Sequence, residues 1–428
     1  MKIAIIGSGI SGLTCAHYLH KEHDITLFEA NDYIGGHTAT VDVEVESGKY
    51  AIDTGFIVFN DRTYPNFQNL MKDIGMDAQE SEMSFSVRNE DNGLEYNGHS
   101  VGSLFAQKRN FLNPKFYKFI SEILRFNKEA REAYSIATHG DPLVEQTLGD
   151  FLTRRQFSEY FCQNYILPMG AAIWSSTLSD MRAFPLKFFL RFFQNHGLLD
   201  VTNRPQWYVI PGGSREYVRK MVPAFEDRIT LNARIKHVER FAHHVVVATE
   251  HSEEVFDHVI FACHSDQALA LLKRPTQDEQ LILGSIDYQD NDVVLHTDTR
   301  LLPRRKAAWA SWNYHLGEGT GREDRPAALT YNMNILQGIN SPETFCVTLN
   351  QSDSIDPNKI LRQFVYAHPV FDQKCIDAQQ KRSLISGNNN SWFCGAYWYN
   401  GFHEDGVRSA LDVVKSIHSM PIPLRSAS

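Results

Sequence analysis

The sequence has few features that would stabilise the protein through disulfides or metal ions or hold it in a membrane. Its 428 residues include six cysteines, none in a C-x-x-C pair, and no Cys/His set has the spacing of a zinc site. No apolar run approaches the roughly 18 residues that span a bilayer. Positive charge is in deficit, with 42 lysines and arginines against 51 acidic residues. These absences predict reduced thiols, no metal site, no nucleic-acid partner and a cytoplasmic location.

The remaining composition is that of a globular protein. Apolar residues make up 43% and charged residues 22%, which excludes a mainly disordered chain. The length predicts two or three folding units with a core large enough to be stable without disulfides or structural metals. The apolar start after Lys2 is broken by early glycines, and no small-residue cleavage site follows before Lys21, so we expect no signal peptide.

The first thirty residues have the pattern of a dinucleotide-binding unit. A β-branched run at Lys2–Ile6 predicts a buried strand, and G-S-G-I-S-G follows at residues 7–12. Helical spacing comes next, then a second strand over Asp24–Phe28 that ends at Glu29. Glu29 lies 22 residues after Gly7, close to the roughly 20 expected of this fold.

Each residue type in this unit has a physical task. Gly7 permits the tight turn, Gly9 lets a diphosphate approach the backbone, and Gly12 lets the helix pack closely on the strand. The helix N-terminus offers free N–H groups to the phosphates. Glu29 accepts hydrogen bonds from the ribose hydroxyls, which disfavours a 2′-phosphate. The predicted contacts of this unit are Gly7, Ser8, Gly9, Ser11, Gly12 and Glu29.

Two further segments resemble the flavoproteins of the amine oxidase and phytoene desaturase superfamily. They are the glycine pair with its histidine, Gly35-Gly36-His37, and the D-x-G run Asp53-Thr54-Gly55-Phe56. The resemblance implies FAD, with Gly36 and His37 beside its diphosphate and Thr54, Gly55 and Phe56 running toward the isoalloxazine ring. His37 stands where this superfamily usually has arginine. A neutral imidazole donates one hydrogen bond to phosphate but lacks the forked charge of arginine.

The end of the chain repeats the strand, glycine loop and helix pattern. Residues 391–395 resemble a strand ending in glycine, and a loop at 401–406 precedes helical spacing. An ordinary C-terminal helix with an acidic first turn is the alternative. In the superfamily this segment closes over the flavin, and a middle strand contacts the adenine through its backbone. The resemblance therefore implies further contacts at Val238, Gly395, Phe402, Glu404, Asp405 and Val407. Cys394 is expected to be packed in the core, so the FAD is expected to be non-covalent.

The fold class expected from these signals is α/β. A Rossmann-like FAD-binding domain of the amine oxidase type takes residues 1–80, 205–265 and 385–420. An inserted α+β substrate domain takes 81–204 and 266–384, and 421–428 form a flexible tail.

The inserted segments are rich in aromatic residues. Phe184, Phe188, Phe189, Phe192 and Phe193 fall on one helical stripe. Core packing is one interpretation of this stripe, and a greasy tunnel wall or a membrane-touching face is the other. The basic stretches at 107–110 and 113–115 are either membrane contacts or ordinary solvated loops.

Longer motifs resemble one branch of the superfamily more narrowly. They include residues 53–60, 63–66, 83–86, 104–108, 173–175, 204–207 and 308–314. They are similar to bacterial FAD-binding proteins encoded beside cyclopropane-fatty-acid-synthase-like methyltransferases, of the methylated fatty acid desaturase type. They also resemble the N-terminal region of plant cyclopropane fatty acid synthases. Histidine after the glycine pair is expected in this branch. The resemblance implies a lipid acyl substrate, a transient contact with the inner membrane face, and a methyltransferase partner.

The function predicted on this basis is an FAD-dependent oxidoreductase that desaturates or oxidises methyl-branched acyl chains of membrane phospholipids. Hydride passes to flavin N5 while a base removes a proton. Tyr399 and His403 are the candidate catalytic residues, and Trp174 and Phe402 are expected to wall the substrate pocket. Two alternatives stay open. One is a flavin amine oxidase, and the other is a non-catalytic flavin-binding partner of a lipid methyltransferase.

Overall fold

The computed structural model describes residues 1–137, 146–174, 176–200, 204–317 and 328–420. The predicted tail at 421–428 and Ser175 of the motif at 173–175 lie outside the described residues. Among the helices described, none is both long enough and apolar enough to cross a membrane.

The strands are short, as is usual for globular domains. In chain order they are β1 Lys2–Ile6, β2 Asp24–Phe28, β3 Thr40–Val45, β4 Gly48–Asp53, β5 Val58–Asn60, β6 Gln79–Ser81, β7 Phe85–Asn89, β8 Leu94–Asn97, β9 Trp207–Val209, β10 Ile229–Thr230, β11 Ile235–Arg240, β12 Val245–Thr249, β13 Glu253–Phe256, β14 His258–Phe261, β15 Tyr288–His296, β16 Trp312–Leu316, β17 Leu329–Asn332, β18 Cys346–Leu349, β19 Ile360–Pro369 and β20 Ser391–Phe393.

The helices cluster between the strands and in one long run before β9. They are α1 Ile10–Leu19, α2 Pro65–Asp73, α3 Val101–Leu104, α4 Pro114–Ala137, α5 Leu148–Arg154, α6 Glu159–Phe161, α7 Leu167–Trp174, α8 Leu178–Ala183, α9 Leu186–Asn195, α10 Arg215–Met221, α11 Ser265–Leu271, α12 Gln277–Leu283, α13 Met333–Leu336, α14 Gln373–Gln380 and α15 His403–His418.

A five-stranded sheet joins the two ends of the described chain. Its order is β10-β2-β1-β14-β20, and all four pairings are parallel. The middle strands are buried on both faces, which is why they are β-branched runs rather than alternating ones. Helices α1 and α15 pack side by side on one face. The sheet therefore confirms the α/β class and the Rossmann-like FAD-binding fold predicted above.

The second large sheet has seven strands in the order β19-β15-β18-β17-β16-β7-β8. Its pairings are antiparallel except for β16 and β7. All its strands come from segments assigned above to the substrate domain, whereas the parallel sheet draws on the segments assigned to the FAD-binding domain. The domain boundaries themselves stay a prediction.

The phenylalanine stripe belongs to the core. Phe188, Phe189, Phe192 and Phe193 of α9 are each at most 4% exposed and pack within the largest apolar cluster. Core packing is therefore the correct interpretation, and the membrane-touching alternative is wrong for this helix. Phe192 also lines the cavity described next, so the tunnel-wall interpretation applies to this residue as well.

Candidate functional site

One large cavity collects most of the predicted site residues. Its volume is about 1280 Å³, above the ~300–1,000 Å³ typical of a pocket for one small ligand. It runs from the carboxyl ends of β1, β2 and β14, past the start of α15, to the inner face of the seven-stranded sheet and helices α7 and α9. Crevices at this edge of a parallel sheet are where α/β folds bind nucleotides. The volume suits a cofactor together with a substrate.

The glycine loop after β1 forms the nucleotide end of the cavity. Gly7 has φ +104°, and a Cβ there would lie 2.8 Å from the Ala262 carbonyl oxygen. A Cβ at Gly12 would lie 1.9 Å from the Gly7 carbonyl oxygen, so only glycine lets α1 pack this closely on the strand. A Cβ at Gly9 would meet nothing within 4 Å, because this glycine faces the cavity. The loop thus leaves open the space that a diphosphate requires.

Glu29 lies buried in the wall beside this loop. One carboxylate oxygen accepts hydrogen bonds from the Ser8 amide at 3.0 Å and the Ser8 hydroxyl at 2.6 Å. The other accepts from the Asn31 amide at 2.9 Å and its side chain at 2.8 Å. These donors fix the orientation of the carboxylate and occupy its roughly four lone-pair sites. Glu29 lines the cavity, so a ribose hydroxyl that binds there would take the place of one of these donors.

The predicted adenine contact at Val238 is misplaced. Val238 is fully buried in β11, its carbonyl oxygen accepts from the Lys273 amide at 3.1 Å, and it does not line the cavity. β11 is paired with β12 from Ile235 onward. The strand faces the cavity only where it begins, at Arg234, Ile235 and Lys236. The sequence signal thus indicated a strand that reaches the cavity, but Val238 is not among its residues that do so.

His37 is the residue whose chemistry departs most from the superfamily. Its Nε2 is buried and has no hydrogen-bond partner among the described residues. Burial, with His368 and His264 nearby, lowers the pKa of His37 to about 3, so the ring is neutral. The ring centroids of His37 and His368 are 5.6 Å apart. A buried, unpaired nitrogen is costly unless a ligand meets it, and a diphosphate oxygen would do so.

The D-x-G segment lies against the glycine pair. A Cβ at Gly55 would lie 2.1 Å from the His37 carbonyl oxygen, so the two loops touch through their backbones. Thr54 and Gly55 line the cavity, with the Thr54 hydroxyl 3.1 Å from that of Tyr366. The Phe56 ring stacks on His403 with centroids 3.7 Å apart. The N-terminal and C-terminal segments of the chain thus contact each other directly at the site.

Asp53, the first residue of this segment, has a structural role rather than a catalytic one. Its carboxylate accepts from the Thr40 hydroxyl at 2.6 Å, the Ser214 amide at 2.8 Å and the Gln337 side chain at 3.1 Å. Burial raises the pKa of Asp53 to about 6 despite these hydrogen bonds. Asp53 therefore connects three separate segments that surround the site. Burial disfavours its ionised form, so the ionised carboxylate lowers the stability of the folded protein.

Asp53→Asn is expected to change how stability depends on pH. Because the pKa of Asp53 is raised in the folded state, the folded protein binds this proton more tightly than the unfolded chain does. The contribution of Asp53 to the free energy of unfolding therefore falls as the pH rises from about 4 to about 6. Urea unfolding should show that the parent loses about 2 kcal/mol more than the variant between pH ~4 and ~7. A difference that is constant with pH would contradict this assignment.

His403 is held by a buried hydroxyl pair. Its Nε2 lies 2.9 Å from the Tyr217 hydroxyl and 3.2 Å from that of Thr38, and these two hydroxyls are 2.5 Å apart. Burial lowers the pKa of His403 well below its ordinary value and raises that of Tyr217. The imidazole is neutral, lines the cavity and is fixed in orientation. This geometry supports a positioning role, and its role as a base stays a prediction.

Tyr399, the other candidate base, does not line the cavity. Its hydroxyl donates to Asp412 at 2.6 Å, and the Arg408 guanidinium lies 4.0 Å from the ring centroid. The chain turns between Tyr397, which lines the cavity, and Asn400, which does so again. Tyr399 points outward from this turn, so the geometry does not support a catalytic role for it.

Tyr399→Phe is accordingly expected to change the rate of substrate-driven flavin reduction by less than about twofold. The substitution removes one exposed charge-assisted hydrogen bond, which costs at most about 1–2 kcal/mol of stability and nothing at the reacting atoms. Stopped-flow absorbance measures the rate. A loss of tenfold or more in a variant with normal FAD content would restore Tyr399 as a catalytic residue.

The acidic first turn of α15 serves the fold rather than the cofactor. Glu404 accepts from the Asn66 side chain at 2.6 Å and the Phe67 amide at 2.9 Å, both on α2. Asp405 accepts from the Phe402 amide at 3.0 Å. Val407 is buried in the core between the helices. None of the three lines the cavity, which corrects the contacts predicted for them.

Of the site residues predicted in this C-terminal segment, Gly395, Phe402 and His403 do line the cavity. A Cβ at Gly406 would lie 2.6 Å from the Ile10 side chain, so α15 presses closely on α1. Cys394 is fully buried with its sulfur 3.9 Å from that of Cys15, away from the cavity. This packing agrees with a flavin that is not bound through Cys394.

The far end of the cavity is aromatic and aliphatic. Trp174 packs against Phe192 with ring centroids 4.8 Å apart, and the Phe402 ring stacks on Phe192 at 5.1 Å. Other apolar residues here are Met83, Phe85, Met169, Ile173, Leu198, Trp207, Trp312, Leu336, Leu349 and Phe371. Glu29, at the nucleotide end, is the single carboxylate among the described residues that line the cavity.

Four histidines that line the cavity, His99, His196, His264 and His368, were not predicted from the sequence. Burial lowers the pKa of His196 and His368 to about 4 and lowers that of His264. His264 follows β14 at the carboxyl edge of the parallel sheet, a position that alone could have marked it. His196 and His368 come from the helical run and the second sheet, where no local signal points to the cavity.

Comparisons with known proteins agree with this geometry. A family model described as flavin containing amine oxidoreductase matches residues 10–344. Amine oxidase [flavin-containing] B of Bos taurus is 24% identical over 262 residues, which are 59% of this chain and 48% of the relative. The chain thus spans about half the length of the curated relatives it matches.

Solved structures share the fold over nearly the whole chain. Cyclohexylamine oxidase from Brevibacterium oxydans superposes with a TM-score of 0.67 at 13% identity, covering 97% of this chain and 99% of that one. A CLA-producing fatty acid isomerase from P. acnes superposes with a TM-score of 0.68 at 15% identity, covering 97% and 98%. At these identities the likeness shows the fold alone.

Proposed function

Within the family of flavin containing amine oxidoreductases, to which the chain belongs, we propose that this protein oxidises lipid acyl chains. The proposed reaction is desaturation of methyl-branched fatty acyl groups of membrane phospholipids. FAD is the cofactor of this family. The site fits it through the open face at Gly9, the fixed carboxylate of Glu29 and the unpaired Nε2 of His37. When bound, FAD supplies a two-electron acceptor for hydride.

The observation that carries the proposal is the chemistry of the substrate end. An acyl chain is bound by burial of apolar surface, at roughly 25 cal/mol per Å². The wall formed by Trp174, Ile173, Phe371 and their neighbours offers such a surface. Residues of this wall would hold the acyl chain in position beside the flavin, which is one of the protein's contributions to hydride transfer.

The structure offers less for an amine. A buried ammonium needs a carboxylate or a pair of rings that admits it, with the cation within about 6 Å of each centroid. The one lining carboxylate is Glu29, which is at the nucleotide end and already accepts four hydrogen bonds. The Phe402 and Phe192 rings stack at 5.1 Å, which leaves no room for an ammonium between them. The family match and the cyclohexylamine oxidase likeness still make amine oxidation the second candidate.

Anaerobic mixing separates the candidates. The FAD-loaded protein is mixed with phospholipid carrying a methyl-branched unsaturated chain, with the unmethylated phospholipid, with a monoamine and with a polyamine. Loss of the flavin absorbance is followed in each case. We expect loss with the methylated lipid, slower loss with the unmethylated one and none with the amines. Loss with an amine alone would overturn the lipid proposal. No loss with any of them would favour a flavin-binding partner of a methyltransferase.

A further inference from the structure

The charge of the chain is unevenly placed. The whole sequence carries a net charge of −9, yet residues 96–121 contain four lysines and arginines and no aspartate or glutamate. The four cations are Lys108, Arg109, Lys115 and Lys118, and all are exposed. None of them forms an ion pair with a carboxylate of the described residues. The segment is therefore a local cationic surface on an acidic protein.

Large apolar side chains are exposed in the same segment. Leu112 is 91% exposed, Val101 72%, Phe111 51% and Tyr117 49%. Single exposed apolar residues are ordinary, whereas four of them within seventeen residues of chain, interleaved with cations, mark a binding surface. We call residues 99–118 the basic apolar segment.

This segment is firmly held by the core beneath it. The Phe105 ring stacks on Phe111 with centroids 4.3 Å apart and meets Phe116 at 5.4 Å. Phe116 is fully buried at the start of α4. The Arg109 guanidinium donates to the Gly93 carbonyl at 2.6 Å. The exposed side chains thus stand on a fixed base, and binding need not order a loose loop.

The basic apolar segment adjoins the cavity. Gly98 and His99 are exposed and line the cavity, and the helix α3 begins two residues later at Val101. Tyr96, on the preceding strand, lines the cavity from inside. A surface that contacts the segment therefore lies at an opening of the cavity.

We propose that the basic apolar segment docks the protein on an anionic phospholipid membrane at the opening of its cavity. Lysine and arginine side chains near an anionic bilayer surface contribute about 1 kcal/mol each, and exposed leucine, valine and phenylalanine enter the headgroup boundary. A nucleic acid would use the cations but not Leu112 and Val101, which neither stack nor donate. Transfer of an acyl chain from the membrane to the cavity rests on the proposed function, whereas docking does not.

Flotation of the FAD-loaded full chain with vesicles tests the proposal. We expect binding to vesicles of phosphatidylglycerol and phosphatidylcholine in equal amounts, little binding to phosphatidylcholine alone, and weakening by salt. Leu112→Glu and the pair Lys108→Glu with Lys118→Glu should each lower the bound fraction about tenfold or more. These side chains are exposed, so the variants should fold.

The matched controls carry the same changes on other surfaces. Leu281 on α12 is 59% exposed, and the Lys49 side chain is 78% exposed. Leu281→Glu and Lys49→Glu should bind vesicles as the parent does. Equal losses in the control and test variants would overturn the proposal.

Failure of docking and failure of the proposed function are distinguishable. A short-chain, water-dispersed acyl substrate should reduce the flavin of the Leu112→Glu variant at the parent rate, although the variant no longer binds vesicles. Vesicle binding by a protein whose flavin no lipid reduces would support docking and overturn the function. Parent-like vesicle binding by Leu112→Glu would overturn docking and leave the function to its own test.

Discussion

Gly9→Ala should yield a folded protein that binds FAD on the order of 10²-fold more weakly. A Cβ at this position meets no protein atom within 4 Å, and Gly9 has φ −65°, which alanine adopts without strain. The methyl group enters the cavity where the diphosphate must approach the N-terminus of α1. Holding the diphosphate away forfeits one or two charge-assisted hydrogen bonds, each worth about 1.5–3 kcal/mol.

The measurement is a fluorescence titration of flavin-free protein with FAD, beside thermal unfolding without the cofactor. Gly12→Ala is the contrasting variant. Its Cβ would lie 1.9 Å from the Gly7 carbonyl oxygen, so α1 must shift and the flavin-free protein should lose stability by about 1–3 kcal/mol. Gly9→Ala should leave the unfolding midpoint of the flavin-free protein unchanged. Unaltered FAD affinity in Gly9→Ala would show that the diphosphate does not lie at this loop.

Ile173→Glu should lower kcat/KM for the methyl-branched acyl substrate by about 10²- to 10³-fold. Ile173 is on α7, lines the apolar end of the cavity and packs on the largest core cluster. An ionised carboxylate against a hydrocarbon chain costs several kcal/mol. The assay is run at a pH above about 8 so that a raised glutamate pKa does not neutralise the side chain.

Ile173→Gln is the matched control, since it has the same length without the charge and should lose far less. FAD content of both variants should equal that of the parent, because Ile173 lies away from the nucleotide end. The two function candidates predict opposite signs. If the substrate is an amine, the new carboxylate attracts the ammonium and Ile173→Glu gains activity instead of losing it.

Local sequence signals were sufficient for the nucleotide-binding half. The strands at Lys2–Ile6 and Asp24–Phe28 were predicted with the bounds that the structure gives them. Both are short runs rich in β-branched residues that are closed by a glycine turn or an acid, so their limits are set by neighbouring residues. The tasks assigned to Gly7, Gly9 and Gly12 also match the atoms that surround them. The α/β class followed from these short-range patterns.

The errors come from contacts between residues far apart in sequence. Val238 was placed at the adenine because nothing in its neighbourhood shows that β11 faces the cavity only at its start. Glu404 and Asp405 have the composition of a helix end that binds a ligand. In the structure the donors to the Glu404 carboxylate come from α2, and the donor to Asp405 is the Phe402 amide. The spacing of the residues in the sequence does not show these hydrogen bonds.

His264 and His368 meet His37 only because the two large sheets face one cavity. Their ring centroids lie 6.1 Å and 5.6 Å from that of His37. His368 is 331 positions along the chain from His37, on a strand of the antiparallel sheet. Such a cluster depends on the topology of the whole fold, so a sequence analysed by local pattern could not place it.

Mass spectrometry of the lipid after anaerobic turnover tests the central claim most directly. With stoichiometric FAD-loaded protein and a phospholipid carrying a methyl-branched unsaturated chain, the acyl group should lose two hydrogen atoms for each flavin reduced. An acyl group that changes its double-bond position at unchanged mass would indicate isomerisation instead. A lipid recovered unaltered, from protein whose flavin an amine reduces, would contradict the account.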